Sequence, residues 1–343
     1  MVQNQNKIEE YSLSPTPFLR EVAAAYVANS DADELASICF VTPNKRSGVF
    51  LSKHIADEMR NHNIKGFAPA VVPISDFIAE FTDEVEASRI EQLFILYNSY
   101  SEVLHKHMTP DESAAGKGQV DFNRFQYWGD ILLNDFNDVD RDLVDAKMLF
   151  KNVSDLKEIS SNFLTPEQIE VIKRYWNEEL VPEPVQEFWR HVVHSSDNSD
   201  ENGENNSDNK KNIAGFVKLW QVMYEIYISY RKSLTEKGFT YSGKSYRDAL
   251  EKISKANADD FEYDLYVFVG FNVLSKSEQA IFRTLQKLGI ADFYWDYASP
   301  AFKVRSNRAS RFMKNNVKEF PSRYKGIGTT IDYCPNINCI NIH

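Results

Sequence analysis

Cysteine is scarce in this chain of 343 residues, with only Cys39, Cys334 and Cys339. No disulfide framework can be built from three thiols, and the expectation is a reducing compartment. Cys334 and Cys339 stand in a C-x4-C spacing, but no second pair completes a tetrahedral zinc site, so neither a structural metal nor any other cofactor is expected. Long apolar runs are missing too. None approaches the roughly 18 residues that cross a bilayer. The start, Met1-Val2-Gln3-Asn4-Gln5-Asn6, lacks the basic and apolar regions of a secretory leader. A cytoplasmic protein without a membrane partner is the expectation. Positive charge is also in deficit: 39 Lys and Arg face 50 Asp and Glu, a net charge of −11. Free-standing, non-specific DNA binders are usually basic, so a nucleic-acid contact here needs a local basic stripe or a larger complex.

Catalytic signatures are equally thin. The seven histidines include no H-E-x-x-H pair, no Ser–His–Asp signature stands out, and no Asp…Glu-x-Lys nuclease pattern is found. His105 and His107 lie two residues apart, a spacing that does not share a helix face, and read as a solvated helix end. The acidic series Asp130, Asp135, Asp138, Asp140, Asp142 and Asp145 contains Asp135-x-Asn137, which faintly suggests a calcium loop. It lacks the glycine at the sixth position and has Ala146 where a bidentate Glu is needed. A solvated acidic face, or helix capping by Asp138 and Asp140, is expected instead.

What the chain does have is apolar and aromatic residues: 43% are hydrophobic, with 23 Phe and 17 Tyr, enough for a substantial core. Five short runs read as strands: Ser37 to Thr42, Pro69 to Pro73, Tyr263 to Gly270, Ala291 to Asp296, and Ile337 to Ile342. Continuous apolar runs suit a parallel sheet covered on both faces, a description that the last, Asn-rich run fits least well. Helical spacing appears at Phe18 to Ala28, Gly48 to Asn61 and Lys276 to Leu288 beside these runs. It also appears at Ile90 to Leu104, Phe125 to Phe136 and Phe216 to Leu234 between them. The alternation predicts one open α/β domain built from residues 1–82 and 256–343, with residues 83–255 inserted as a helical domain. The polar run Ser195 to Asn212 has no apolar side chain and is expected to be a disordered loop. Because the final apolar run stops at His343, a longer protein is expected.

Three motifs carry possible chemistry. Gly238-Phe239-Thr240-Tyr241-Ser242-Gly243-Lys244-Ser245 matches the phosphate-loop pattern G-x-x-x-x-G-K-[ST]. Its context favours an accidental match at a corner between helices. Tyr230 to Lys237 reads as a helix end with Gly238 terminating it, and the interior Phe-Thr-Tyr-Ser is bulky. Val41-Thr42-Pro43-Asn44-Lys45-Arg46-Ser47-Gly48 follows a strand and opens a helix, the place where α/β domains bind ligands. Asn44, Lys45 and Arg46 could meet a phosphate backbone there, although a solvated turn with two ordinary basic residues fits equally well. Val269-Gly270-Phe271-Asn272 ends the third strand, and on its residues alone is a strand-to-helix turn with Ser275 capping the next helix.

Several of these segments resemble one family in order. Thr16-Pro17-Phe18-Leu19-Arg20-Glu21-Val22 and Phe40 to Gly48 look like the start of the AddB-like PD-(D/E)XK nuclease family proteins of Bacteroidetes-type bacteria. Phe125-Gln126-Tyr127-Trp128-Gly129-Asp130, Leu133 to Phe136, Leu143 to Ala146, Phe268 to Asn272 and Phe293 to Tyr297 resemble it as well. The resemblance implies the N-terminal, RecA-like region of a superfamily 1 helicase-like subunit in DNA double-strand break repair and recombination. It implies a P-loop NTPase-like parallel sheet with a large inserted helical domain. It further implies a nuclease segment beyond His343, so that the full-length protein would be a PD-(D/E)XK exonuclease while this region has no catalytic residue of its own. By this comparison Thr42 to Lys45 correspond to a motif that touches single-stranded DNA. Gly270, Phe271 and Asn272 stand where Mg²⁺-binding acids would be, and Ser14 and Thr16 lie where a phosphate loop would be, without its Gly and Lys. The implied function is to guide or scan DNA, as single strands or break ends, beside an AddA-type helicase–nuclease subunit. A nucleotide-binding ATPase using Lys244 and a pure protein-interaction scaffold are the alternatives.

Overall fold

The computed structural model describes residues 16–107, 122–154, 207–297 and 308–328. Ser14, the run Ile337 to Ile342, Cys334, Cys339 and residues 195–206 of the polar stretch lie outside the described residues. The chain divides into two compact units, Met1–Glu80 with Lys252–His343, and Phe81–Glu251.

The first unit is mixed α/β. Its sheet holds β1 (Ile38–Thr42), β2 (Ala70–Pro73), β5 (Leu265–Val269) and β6 (Ala291–Tyr294), all parallel, in the order β2-β1-β5-β6. The central strands β1 and β5 are buried at every position, which is why their sequences are unbroken apolar runs. Successive residues still alternate between faces. On one face Phe40, Val267, Val269 and Tyr294 pack against Val22 and Tyr26 of α1 (Phe18–Asn29) and Leu51 and Ile55 of α3 (Lys45–Asn61). Arg20 of α1 and Glu58 of α3 form an ion pair at 2.9 Å. The hydrogen bond from Arg20 holds the Glu58 carboxyl below its usual range.

On the other face lies an aromatic layer. Phe268 meets Phe282 of α10 (Lys276–Leu288) at 4.2 Å between centroids and stacks on Phe293 at 5.6 Å. Phe77 of α4 (Ile74–Ala79) stands edge-on to Phe268 at 5.8 Å. Cys39, buried in β1, has its thiol pushed up to about 12 by burial, which makes it a poor nucleophile.

A short helix, α2 (Ala32–Ala36), precedes β1 and starts on a capping box between Asp31 and Glu34. The helix α11 (Arg308–Glu319) and the segment after it lie against α10 and β6. Trp295 Nε1 donates to the Phe320 carbonyl at 2.9 Å, and Arg283 of α10 pairs with Glu319. The chain then passes Asp292, whose Oδ1 accepts from the Arg323 amide at 2.9 Å. Asp292 also accepts from the Tyr26 and Tyr294 hydroxyls, so this buried carboxylate is fully occupied as a structural tie.

The second unit is largely helical. It contains α5 (Arg89–His107), α6 (Phe122–Arg141), α7 (Ala146–Ser154), α8 (Ser207–Glu236) and most of α9 (Ser242–Ile253), with a small parallel pair, β3 (Val85–Glu86) and β4 (Phe239–Thr240). Its core joins Leu96, Tyr100, Phe125, Leu133, Phe136, Ile226 and Tyr230. Two expectations change here. Ser207 to Asn212, expected as the end of a disordered loop, form the first turns of α8. Asp140, expected on a solvated or capping position, is 0% exposed inside the unit, and the capping is done by Asp145, whose Oδ1 accepts from the Met148 amide at 2.9 Å. Among the described residues no helix is long and apolar enough to cross a membrane.

Candidate nucleic-acid interface

The topology of the sheet selects one place. From β1 the chain crosses by α3 to β2 on one side, and from β5 by α10 to β6 on the other. The connections leave the neighbouring strands β1 and β5 in opposite directions, which opens a crevice at their carboxyl ends. Register pairing of Val41 with Phe268 puts Thr42 and Val269 side by side. Asn44, Lys45 and Arg46 on one loop and Gly270, Phe271 and Asn272 on the other therefore leave the same edge of the sheet.

The first loop is rigid. Asn44 is the N-cap of α3: its Oδ1 accepts from the Ser47 amide at 3.0 Å, and its carbonyl accepts from Ser47 Oγ at 2.9 Å and Thr42 Oγ1 at 3.1 Å. Asn44 thus positions the helix end, and its Oδ1 is already occupied. A Cβ on Gly48 would come within 3.2 Å of Thr42 Oγ1, so the missing side chain lets α3 sit close to β1. Lys45 and Arg46 follow on the first turn, exposed. That turn holds no acid. Two cations at the positive end of a helix dipole repel that end, an arrangement that an anion relieves. α10 shows the ordinary solution: its N-cap Ser275 and the acid Glu278 form a capping box.

The second loop is closed. Phe271 is 6% exposed and stands edge-on to Phe282 at 5.4 Å, so it belongs to the aromatic core rather than to a ligand site. The Asn272 carbonyl accepts from Tyr297 Oη at 3.0 Å and from Asn316 Nδ2 of α11 at 2.8 Å. Gly270 takes φ +76°, and a Cβ there would lie 3.7 Å from the ring of Phe18. The same ring approaches Gly328, where a Cβ would also collide with the Trp295 carbonyl. The start of α1 therefore does lie beside the end of β5, but an aromatic ring fills the approach between Gly270 and Gly328. Thr16 is exposed just before the Pro17 N-cap, whose carbonyl accepts from Arg20 and Glu21.

The phosphate-loop match lies in the second unit and has a different local structure. Phe239 and Thr240 are strand, Gly238 takes φ +69° just after α8, and α9 begins at Ser242, so no loop remains to wrap a phosphate. The Gly243 amide donates to Asn137 Oδ1 at 2.8 Å, and its bare Cα is pressed on the Asn137 carbonyl. Lys244 is 5% exposed, with Nζ bonded to Glu84 and, at 2.8 Å, to Asp248. Ser245 Oγ is bonded to Thr240 Oγ1 and the Tyr241 carbonyl. The Gly243 amide, the Lys244 ammonium and the Ser245 hydroxyl, which would meet a phosphate, are thus all engaged by protein.

Nearby, Asp140 receives Tyr227 Oη at 2.7 Å, Tyr241 Oη and Arg231, and lies 2.8 Å from Arg247 Nε in an ion pair without hydrogen-bond alignment. Burial and this carboxylate raise both tyrosines well above their ordinary range, so they stay neutral donors. Arg247 also donates to the Val139 and Val144 carbonyls at 3.0 and 2.8 Å. Asn137 of the faint calcium pattern is helical and committed to Gly243. Among the described residues no group of three His, Cys, Asp or Glu could hold a metal ion.

One feature escaped the sequence reading. α11 carries Arg308, Arg311, Lys314 and Lys318 at spacings of three, three and four, with Glu319 its one acid. That spacing, a helical row of like charge, was available in the sequence. No family model and no curated protein sequence matches the chain.

Proposed function

We propose that this chain is a catalytically silent, helicase-like scaffold that guides or scans DNA, as single strands or break ends, beside an AddA-type helicase–nuclease partner. One observation carries the reading: Lys45 and Arg46 project, unpaired among the described residues, from a capped helix start at the crevice between the two central strands. A phosphate backbone supplies the anion that this turn lacks. The silence of the site is supported by the ring of Phe18 against Gly270 and by the bonds that occupy the Asn272 carbonyl. The ATPase alternative through Lys244 is weakened by the two carboxylates that neutralise it. The acidic balance of the chain as a whole suits a partner-assisted contact better than autonomous, tight binding.

The test is titration of a labelled oligothymidylate at several salt concentrations. Replacing Lys45 and Arg46 by Ala is expected to lower affinity about tenfold and to reduce the salt slope by ~1.4, at ~0.7 per lost phosphate contact on a single strand. Unchanged affinity and slope would remove these residues from the interface.

A further inference from the structure

We infer that α11 is a second phosphate-contacting surface for single-stranded nucleic acid, continuous through Asn272 with the crevice at Lys45 and Arg46; the inference rests on the DNA-guiding reading above. The argument begins with charge. From Arg308 to Lys325 the chain has six cations, Arg308, Arg311, Lys314, Lys318, Arg323 and Lys325, against the single acid Glu319. In a protein with a net charge of −11, such a segment is a marked local reversal. Glu319 does not offset it, because its carboxylate is paired with Arg283.

Helical geometry then puts the charges together. Arg311, Lys314 and Lys318 are exposed and spaced to share one face. The opposite face is committed to the fold: Asn316 is buried and donates to the Asn272 carbonyl at 2.8 Å and to Tyr297 Oη at 2.8 Å, and Phe320 just beyond is buried under Trp295. The inner face thus anchors α11 at the end of β5, and the outer face presents a basic row. Phe312, 51% exposed, is four residues before Asn316 and so lies at the border of the packed side, about 100° round the helix from Arg311.

The occupant is chosen by the same facts. An in-plane membrane helix needs a broad free apolar face, but the inner face of α11 is already packed and Phe312 is its one large exposed apolar side chain. A row of point charges on a helix whose other face is packed matches a flexible polyanion, which is single-stranded nucleic acid.

The experiment uses the full chain and a fluorescein-labelled oligothymidylate, titrated across salt. Arg311→Ala with Lys318→Ala is expected to reduce the salt slope by ~1.4 and to weaken low-salt binding roughly tenfold. The charge-preserving pair Arg311→Lys with Lys318→Arg keeps the slope. Lys232→Ala with Lys237→Ala, which removes the same charge from the other unit, also leaves it unchanged. If the Arg311 and Lys318 variant binds like the wild type while the Lys45 and Arg46 variant is impaired, α11 is not an interface and the DNA-guiding reading survives. An equal loss in the Lys232 and Lys237 control means that net charge alone acts, and this overturns the inference. So does α11-dependent binding to phosphatidylserine vesicles in place of the oligonucleotide. Absence of salt-sensitive oligonucleotide binding in the wild type overturns both.

Discussion

The two units differ in how they hold the basic residues of their candidate motifs. In the helical unit Lys244, Arg231 and Arg247 are drawn inward and matched to Glu84, Asp248 and Asp140. In the α/β unit Lys45, Arg46, Arg311 and Lys318 stand on helix surfaces with no partner among the described residues. A basic residue with buried carboxylate partners holds a fold together, because its removal strands the opposite charge. A basic residue without such partners contributes little to stability and remains available to an outside anion. The contrast matters because the most recognisable motif in the chain, the phosphate-loop match, falls on the wrong side of it.

The sharpest way to break the comparison is at Asp140. Asp140→Ala would leave Arg231 and Arg247 without their buried counter-charge and two buried hydroxyls without an acceptor. The expected cost is about 3–5 kcal/mol in urea denaturation of the helical unit. A loss below about 1 kcal/mol would mean that the cluster is not structural. Gly243 comes next. Gly243→Ala drives a methyl into the Asn137 carbonyl and is expected to destabilise by about 1–3 kcal/mol without altering nucleotide affinity. If its only effect were on ATP binding, the glycine would be serving a phosphate after all. Lys45→Ala with Arg46→Ala sharpens the other side: thermal stability should stay within about 0.5 kcal/mol, while oligonucleotide binding falls about tenfold, or about 1.4 kcal/mol.

The smallest effect concerns pH. The Glu58 carboxyl is held below its ordinary 4.5, first by the hydrogen bond from Arg20. A lowered folded-state value means that the contribution is present above the unfolded value and lost as pH falls through the folded one. Arg20→Ala should therefore lower stability by a small, constant amount at and above neutrality, and make progressively less difference as pH falls below about 4.5, which flattens the acid side of the stability curve. A variant whose loss of stability was greatest in acid, where Glu58 is protonated in both states, would contradict the assignment.

Legibility in the sequence followed the range of the interactions. The four strands of the sheet could be read as short apolar runs, most clearly the two central ones, Ile38–Thr42 and Leu265–Val269, which are buried at every position. α10 could be read to the residue because Ser275 and Gly289 mark its ends locally, with a capping box and a left-handed glycine. The role of Asp140 could not, since its partners Tyr227, Arg231, Tyr241 and Arg247 stand 87 to 107 positions away. Nor could the fate of Lys244, whose partner Glu84 is 160 positions distant. Phe271 looked like a site residue because of where it falls after β5, but the layer built by Phe268, Phe282 and Phe293 claims it for the core. The basic row of α11 was as local as the caps of α10, since four cations at helical spacing can be read from the sequence alone.

The most direct measurement is hydrogen–deuterium exchange of the full chain with and without a saturating oligothymidylate, comparing the start of α3 with the start of α9 in one experiment. The account predicts slowed exchange over Lys45 to Gly48 and none over Gly243 to Ser245. Protection at Gly243 to Ser245, with none at Lys45 to Gly48, would contradict it.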